Sequence, residues 1–164
     1  NESAILSKVR AIPEITYVDI KENFPTVGNF TIYVATADGI LDLLTLNKVR
    51  DAVNQSKGYT ITATIITPTA YPITIEFDLT LRESVIASAK ANILEAIKNG
   101  IQQYVNRLSS PNLYRSDLIS LVKQYDGVKN IKNVFIEGIA QDLELNSLYV
   151  IKVNNVANIT INEV

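Results

Sequence analysis

Cysteine, histidine, methionine and tryptophan are all absent from the 164 residues of this chain. Without cysteine the chain has no disulfide and no thiolate nucleophile, and without cysteine or histidine the usual zinc sites are excluded. The lack of histidine also removes Ser-His-Asp catalysis and the side chain that most readily titrates near neutral pH. Only carboxylate, lysine, tyrosine and serine chemistry remains, so we expect no enzyme activity, no catalytic residues, no metal site and no cofactor.

The chain also lacks a large excess of charge of either sign and lacks long apolar runs. The chain has 15 basic and 17 acidic residues, a formal net charge of -2, and no cluster of basic side chains. Nucleic acid is therefore not an expected partner. No apolar run approaches the roughly 20 residues of a membrane span, and no signal segment is visible, so we expect no membrane insertion. A chain that starts at Asn1 and has no Met anywhere predicts a fragment of a longer protein or a processed product.

What the chain does have is a balanced globular composition, with 47% hydrophobic and 20% charged residues. Helical and strand patterns alternate along it, which predicts an α+β fold of mixed, largely antiparallel sheets covered by helices. We expect two small related lobes, a first over 1–82 and a second over 83–164 that opens with a long helix.

The apolar spacing predicts four helices. They cover Glu2 to Arg10, Leu43 to about Lys57, Val85 to Leu108 with Ser84 as N-cap, and a helix capped by Ser116 that stops at Asp126-Gly127.

Alternating apolar and polar residues predict the strands. They cover 15–20, 30–34, 59–65, 73–81, 128–136, 148–153 and 157–161. The clearest pair is 59–65 with 73–81, which we expect to form a hairpin around the turn-rich residues Pro68 to Pro72. The polar stretch Glu137 to Asn146 is expected to be a loop.

An internal repeat is also visible. Ser3 to Arg10 aligns with Ser116 to Lys123 at a constant offset of 113, which also carries Ile15 onto Val128. Each copy predicts a helix, a stop and a strand, in agreement with two related lobes. Any capped helix followed by a strand would give a similar pattern, so duplication remains one of two interpretations.

Glu76 and Asp78 fall on the same side of one predicted strand. Paired carboxylates can transfer protons or bind a hard cation. Thr74 and Thr80 share their side, which favours a solvated sheet face, and an interface role is the further alternative.

Arg115 is the other charged candidate, because a basic residue at the start of a helix is electrostatically unfavourable unless another group uses it. An interface salt bridge is one such use. Asp117, in the same first turn, suits the helix dipole and is expected to be structural.

The terminal strand raises the question of an open sheet edge. No run of Lys or Pro protects the strand that contains Ile159 and Ile161, so a neighbouring subunit or further sequence could complete it. We therefore count both residues as candidate interface residues.

Several motifs follow one another in a fixed order in the second half: a crossing at Ile66-Thr67-Pro68, a long helix, then Tyr114-Arg115-Ser116-Asp117-Leu118-Ile119 and Asp126-Gly127-Val128-Lys129-Asn130-Ile131. This order resembles the C-terminal portion of baseplate J-like proteins. The first half agrees through Ile12 to Val18, Val27 to Val34 and Asp38-Gly39. The resemblance covers Ser3 to Ile136, and its specificity lies in order and spacing. The sequence departs from the family at Gln55 to Gly58, where many members have a basic residue and Pro, and at Glu14, where Gly is common.

This resemblance implies a structural wedge component of a phage tail or contractile injection system, located in the tail baseplate or a tail-like particle and assembled in the host cytoplasm. It implies other baseplate proteins and further copies of the chain as partners, and no small-molecule substrate. The family is not known for catalysis. The alternative from another class is a receptor- or carbohydrate-binding module, which would need exposed aromatic side chains beside amides and carboxylates in a groove.

Overall fold

The computed structural model describes residues 2–39 and 41–164 and confirms the predicted α+β fold. Its helices are α1 (Glu2–Arg10), α2 (Leu43–Asn54), α3 (Ala87–Asn106) and α4 (Arg115–Lys123), with a 3-10 helix at Val156–Asn158. Its strands are β1 (Ile15–Glu22), β2 (Asn29–Thr36), β3 (Thr62–Ile66), β4 (Thr69–Pro72), β5 (Ile75–Leu81), β6 (Asn112–Leu113), β7 (Val128–Ile136), β8 (Leu143–Glu144), β9 (Tyr149–Lys152) and β10 (Ile159–Glu163).

The chain divides into two compact units. Unit 1 contains 1–70, 107–111 and 145–150, and unit 2 contains 71–106, 112–144 and 151–164. The first division falls between Ala70 and Tyr71, so β5 belongs to unit 2, whereas the sequence division after residue 82 put it in the first lobe.

Unit 1 is built on a three-stranded sheet in the order β1-β2-β3, in which β1 is antiparallel and β3 parallel to the central β2. Helix α1 contacts β1 and α2. Ile5 and Val9, one helical turn apart, enter the same core as Val18, Ile32 and Val34 from the sheet. Every residue of β2 after Asn29 is buried, as expected of a central strand covered on both faces.

Unit 2 repeats this arrangement with a different chain order. In its sheet β10-β5-β7, β7 is antiparallel and β10 parallel to the central β5. Helix α4 contacts β7 and α3. The central strand is the second strand of unit 1 but the first long strand of unit 2. The shared geometry therefore does not follow from a simple repetition of the chain path.

The predicted helix and strand of the repeat are confirmed. Both ends of α1 and α4 differ by 113 in residue number, as do the first residues of β1 and β7. The buried pair of α1 is Ile5 and Val9, and that of α4 is Leu118 and Val122, at the same offset. Common origin by duplication stays a prediction.

The predicted hairpin of 59–65 with 73–81 is wrong. Strand β3 pairs with β2, and β5 pairs with β7 and β10. Residues Pro68 to Pro72, expected as its turn, contain β4, which pairs with β9. Alternation identifies the buried face of a strand but carries no information about its neighbours, which explains the error.

Several boundaries also differ. Strand β3 begins only at Thr62, because Ile61 N–H turns back to the Gly58 carbonyl. Helix α3 begins at Ala87, so Ser84 is not its N-cap. Ser116 lies inside α4, whose N-cap residue Tyr114 makes no side-chain capping bond. The expected loop 137–146 contains the short strand β8, and a 3-10 helix occupies the start of the predicted last strand.

Within the described residues, no helix combines the length and the apolar character required to cross a membrane.

A candidate interface on unit 2 and polar sites of both units

The carboxylates of Glu76 and Asp78 project from the same face of β5, between buried Ile75, Phe77 and Leu79. The neighbouring strand β10 places Asn162 directly opposite Asp78. Its amide Nδ2 donates to Glu76 Oε1 at 3.0 Å and to Asp78 Oδ1 at 3.4 Å. One side-chain amide therefore donates hydrogen bonds to both carboxylates.

A second amide reaches Asp78 from the other side. The register of β5 with β7 shifts between Glu76 and Asp78, and Asn133 in β7 adopts a positive φ of 52°. Asn tolerates this left-handed conformation better than most residues. Its Nδ2 donates to Asp78 Oδ2 at 2.7 Å. The irregular register thus aims an amide at the acid, as β-bulges often do.

We call these four residues, Glu76, Asp78, Asn133 and Asn162, the carboxylate-amide cluster. Among the described residues no group of three or more acidic side chains could hold a metal ion. The amide donors hold both carboxylates in fixed positions, and this arrangement fits recognition of a polar surface better than proton transfer. The interpretation as a solvated sheet face is also compatible with the exposure of Glu76.

The two apolar candidates of β10 lie beside this cluster. Ile159 is fully buried and pairs with Ile75, so its side chain serves the core of unit 2. Ile161 is only half-buried and pairs with Phe77. Strand β10 is the last strand of its sheet, so one of its sides is open among the described residues. Of the two, only Ile161 has surface left for a partner.

Arg115 is used within its own chain. Its Nε donates to the Val134 carbonyl at 2.8 Å and its Nη1 to the Ala140 carbonyl at 2.9 Å. Asp142 accepts the backbone N–H of Arg115 at 2.8 Å, which satisfies one of the free amides at the start of α4. The guanidinium therefore fixes the segment that follows β7, and its use in an interface salt bridge stays a prediction.

The first turn of α4 also contains Asp117, as expected for an acid near a helix N-terminus. Its Oδ2 accepts a hydrogen bond from the Tyr104 hydroxyl at 3.2 Å. Burial raises the pKa of Tyr104, and the adjacent Asp117 carboxylate raises it further. This pair connects α3 to α4.

Sequence reasoning missed a polar connection at the end of α3. Lys152 in β9 is 5% exposed, and its ammonium donates to the Asn106 carbonyl at 2.8 Å. A cation is favourable at a helix C-terminus because the macrodipole is negative there. The Asn106 side chain also bonds to the Val153 main chain through both its oxygen and its nitrogen. Only the continuous apolar run around Lys152, from Leu148 to Val153, could have indicated its burial.

Sequence reasoning also missed a cavity of about 330 Å³ in unit 1, lined by Glu14, Asp38, Asp42, Thr45 and Arg107 among others. Asp42 caps α2 by accepting the Thr45 N–H at 2.7 Å, and this bond is the main cause that lowers the Asp42 pKa. Glu14 forms an ion pair with Lys48, whose hydrogen bond is the main cause that lowers the Glu14 pKa. These two acids are therefore already held in structural contacts.

No family model matches this chain, and no curated protein does. Among solved structures, its fold is similar to that of a chain in the cryo-EM structure of the anti-feeding prophage (AFP) baseplate, 6-fold symmetrised. The alignment has 12% sequence identity and a TM-score of 0.55, and it covers 94% of this chain and 36% of that chain. The two proteins share a fold. This chain spans about a third of the length of the AFP baseplate chain.

Proposed function

We propose that this chain is a structural component of a baseplate wedge in a phage tail or contractile injection system, and that it acts by protein-protein assembly. The observation that carries the proposal is the fold shared with a chain of the AFP baseplate over 94% of this chain. A fold alone does not determine function, so the proposal also depends on what the surface can do.

The surface of unit 2 supports an assembly role. The carboxylate-amide cluster holds its acids in place before any partner arrives, which reduces the ordering entropy lost on binding. Beside it, Ile161 offers apolar area at the open side of β10. Other baseplate proteins and further copies of the chain are the partners that we propose.

We also propose that the chain has no catalytic activity. A general acid or base at neutral pH requires a carboxyl group whose pKa is raised towards 7. Glu14 and Asp42 have pKa values that are lowered mainly by hydrogen bonds. This direction supports a structural use of both residues.

The proposal is tested by immunogold electron microscopy on tail-like particles from lysates of the source organism, with antibody raised against this chain. We expect gold at the tail end. Particles from a strain lacking the gene serve as the control for antibody specificity. Repeated absence of gold from intact particles, with the protein free in solution, would contradict the proposal.

The same deletion strain separates this proposal from a receptor- or carbohydrate-binding module. Loss of a wedge component should prevent the assembly of complete particles. Loss of a binding module should leave complete particles that no longer attach to their target cells. Reintroduction of the gene should restore assembly in the first case and attachment in the second.

A further inference from the structure

A groove of about 440 Å³ runs along unit 1 between α2 and the outer strand of its sheet. Its lining comes from one face of the helix and from the middle of β3: Leu46, Arg50, Val53, Asn54, Ala63, Thr64 and Ile65. The helical residues are spaced by three and four positions, which places them on one side of α2.

The strand side of this groove has unused hydrogen-bonding groups. Strand β3 is the last strand of its sheet, next to β2. Its Thr62 N–H bonds to the Gly28 carbonyl, on the side of β2. Because successive residues of a strand direct their main-chain groups to opposite sides, Ala63 and Ile65 direct theirs away from β2. Within the described residues neither makes a main-chain hydrogen bond to any other group.

The helix side contributes a charge without a counterion. Arg50 is exposed, and no acidic side chain of the described residues forms an ion pair with it. The corresponding edge in unit 2 differs, because Glu163 of β10 forms an ion pair with Lys90 of α3. A free guanidinium next to an open strand edge favours an acidic partner.

We propose that this groove binds an extended segment of another protein, which adds as a fourth strand beside β3. Main-chain hydrogen bonds to Ala63 and Ile65 would provide affinity, and alternate side chains of the segment would enter the groove. These inward side chains would be apolar near Leu46 and Ile65, which are only half-buried, and acidic near Arg50. A second copy of the chain fits less well, because two β3 edges joined about a two-fold axis would bring both Arg50 side chains to one interface.

The proposed groove binding rests on the proposed assembly function in one respect, namely that the partner is a protein. The groove binding is tested with a library of random nonapeptides displayed on yeast and selected against the folded chain. We expect enrichment of peptides that alternate apolar and polar residues and carry an acid at one inward position. In the complex with a selected synthetic peptide, hydrogen exchange of the Ala63 and Ile65 amides should slow, while that of Thr64, on the β2 side, should change little.

Two substitutions test the groove directly. Ile65→Pro removes an outward N–H without removing a bond to β2, and Arg50→Glu reverses the charge on α2. Each should weaken binding of the selected peptides by about tenfold or more, since each removes an interaction on which the groove depends. Lys8→Glu is the matched control, because it makes the same charge change at an exposed position of α1 and should leave binding unchanged.

Three outcomes would overturn the proposal: no enrichment, equal binding to the Arg50→Glu chain, or unchanged exchange at Ala63 and Ile65. If Ile65→Pro prevents folding, as judged by circular dichroism, the Arg50 variant and the exchange data decide. Peptide binding and gold labelling are independent measurements, so a failure of the groove is distinguishable from a failure of the baseplate assignment.

Discussion

The Tyr125 hydroxyl occupies the space that a side chain at Gly100 would need. A Cβ atom at Gly100 would lie 1.8 Å from Tyr125 Oη and 3.0 Å from its Cζ. Both residues belong to unit 2, Gly100 inside α3 and Tyr125 just after α4. A glycine in the middle of a helix costs about 1 kcal/mol relative to alanine, and here it permits the close approach of an aromatic ring.

We therefore predict that the effect of Gly100→Ala depends on residue 125. In the natural chain, the gain in helix propensity should be cancelled or exceeded by the clash. In a Tyr125→Phe background the same substitution should be more favourable by about 1–2 kcal/mol. Urea denaturation of the four chains of this double-mutant cycle measures the difference, and strictly additive effects would contradict the proposed contact.

Gly127, which follows α4, should tolerate substitution poorly. It has a φ of +87°, and a Cβ there would lie 2.8 Å from Val85 Cγ2 and 3.2 Å from Ile93 Cδ1. The left-handed backbone costs alanine about 1–2 kcal/mol, and overpacking adds about 1–3 kcal/mol. We expect Gly127→Ala to lower the free energy of unfolding by about 2–5 kcal/mol.

Gly138→Ala is the matched control for Gly127→Ala. Gly138 also has a positive φ, of +72°, but a Cβ there would meet no atom within 4 Å. Only the backbone cost of about 1–2 kcal/mol should remain. Equal losses for both substitutions in urea denaturation would show that packing around Gly127 does not matter.

Replacing Arg115 with alanine should loosen the segment after β7. The substitution removes the charged donors to the carbonyls of Val134 and Ala140. Hydrogen bonds to charged groups contribute about 1.5–3 kcal/mol, so we expect a loss of about 2–3 kcal/mol in the free energy of unfolding. Limited proteolysis should also cleave within 137–142 faster than in the natural chain.

Arg115→Lys separates charge from geometry. A lysine keeps the charge but lacks the planar fork that reaches two carbonyls, so it should recover only part of the stability. Full recovery by lysine would mean that charge alone accounts for the effect. An unchanged cleavage rate in Arg115→Ala would mean that Arg115 does not fix the segment.

Alkaline pH should destabilise the chain through Tyr17. Its side chain is 3% exposed, and burial is the main cause that raises its pKa above the usual 10.0. The Ser147 hydroxyl lies nearby and opposes this shift in part, but its proton goes to Asp19, and the Tyr17 hydroxyl has no well-formed hydrogen bond among the described residues. The neutral phenol is therefore the form that the folded state prefers.

The direction of the pH dependence of stability follows from the difference in pKa between the folded and unfolded states. A group whose pKa is raised in the folded state contributes stability below its unfolded pKa, and this contribution is lost as pH rises through the folded pKa. The free energy of unfolding should thus fall above about pH 10. Tyr104, whose pKa is also raised, should contribute to the same loss. Thermal unfolding of the natural chain and of Tyr17→Phe across pH 8–12 measures this. Identical pH profiles for the two chains would exclude a contribution from Tyr17.

The sequence predicts well what depends on neighbouring residues along the chain. Ile5 and Val9 lie one turn apart, and their spacing alone defines α1. Asp126-Gly127 marks the turn between α4 and β7, where the positive φ of Gly127 favours glycine. These features need no information about the rest of the fold.

The sequence predicts poorly what depends on distant segments. Thr62 to Ile66 and Ile75 to Leu81 have the same alternation, yet they enter different sheets because the strands beside them are chosen by the whole fold. Arg115 is conspicuous in sequence for its position at a helix start, but its acceptors are main-chain carbonyls, which carry no sequence signature. The groove beside β3 was missed for the same reason, since it exists only because β3 lies parallel to β2 at the edge.

The central position of β5 also affects the order in which unit 2 can form during synthesis. Its two neighbours, β7 and β10, begin at Val128 and Ile159, long after β5 ends at Leu81. On the ribosome, β5 with its apolar residues Ile75, Phe77 and Leu79 is therefore synthesised well before either of the strands that pair with it. Strand pairs that are distant in sequence form slowly, and unpaired edges are exposed to aggregation in the interval. Unit 2 is thus the part of the chain for which protection of the nascent polypeptide matters most.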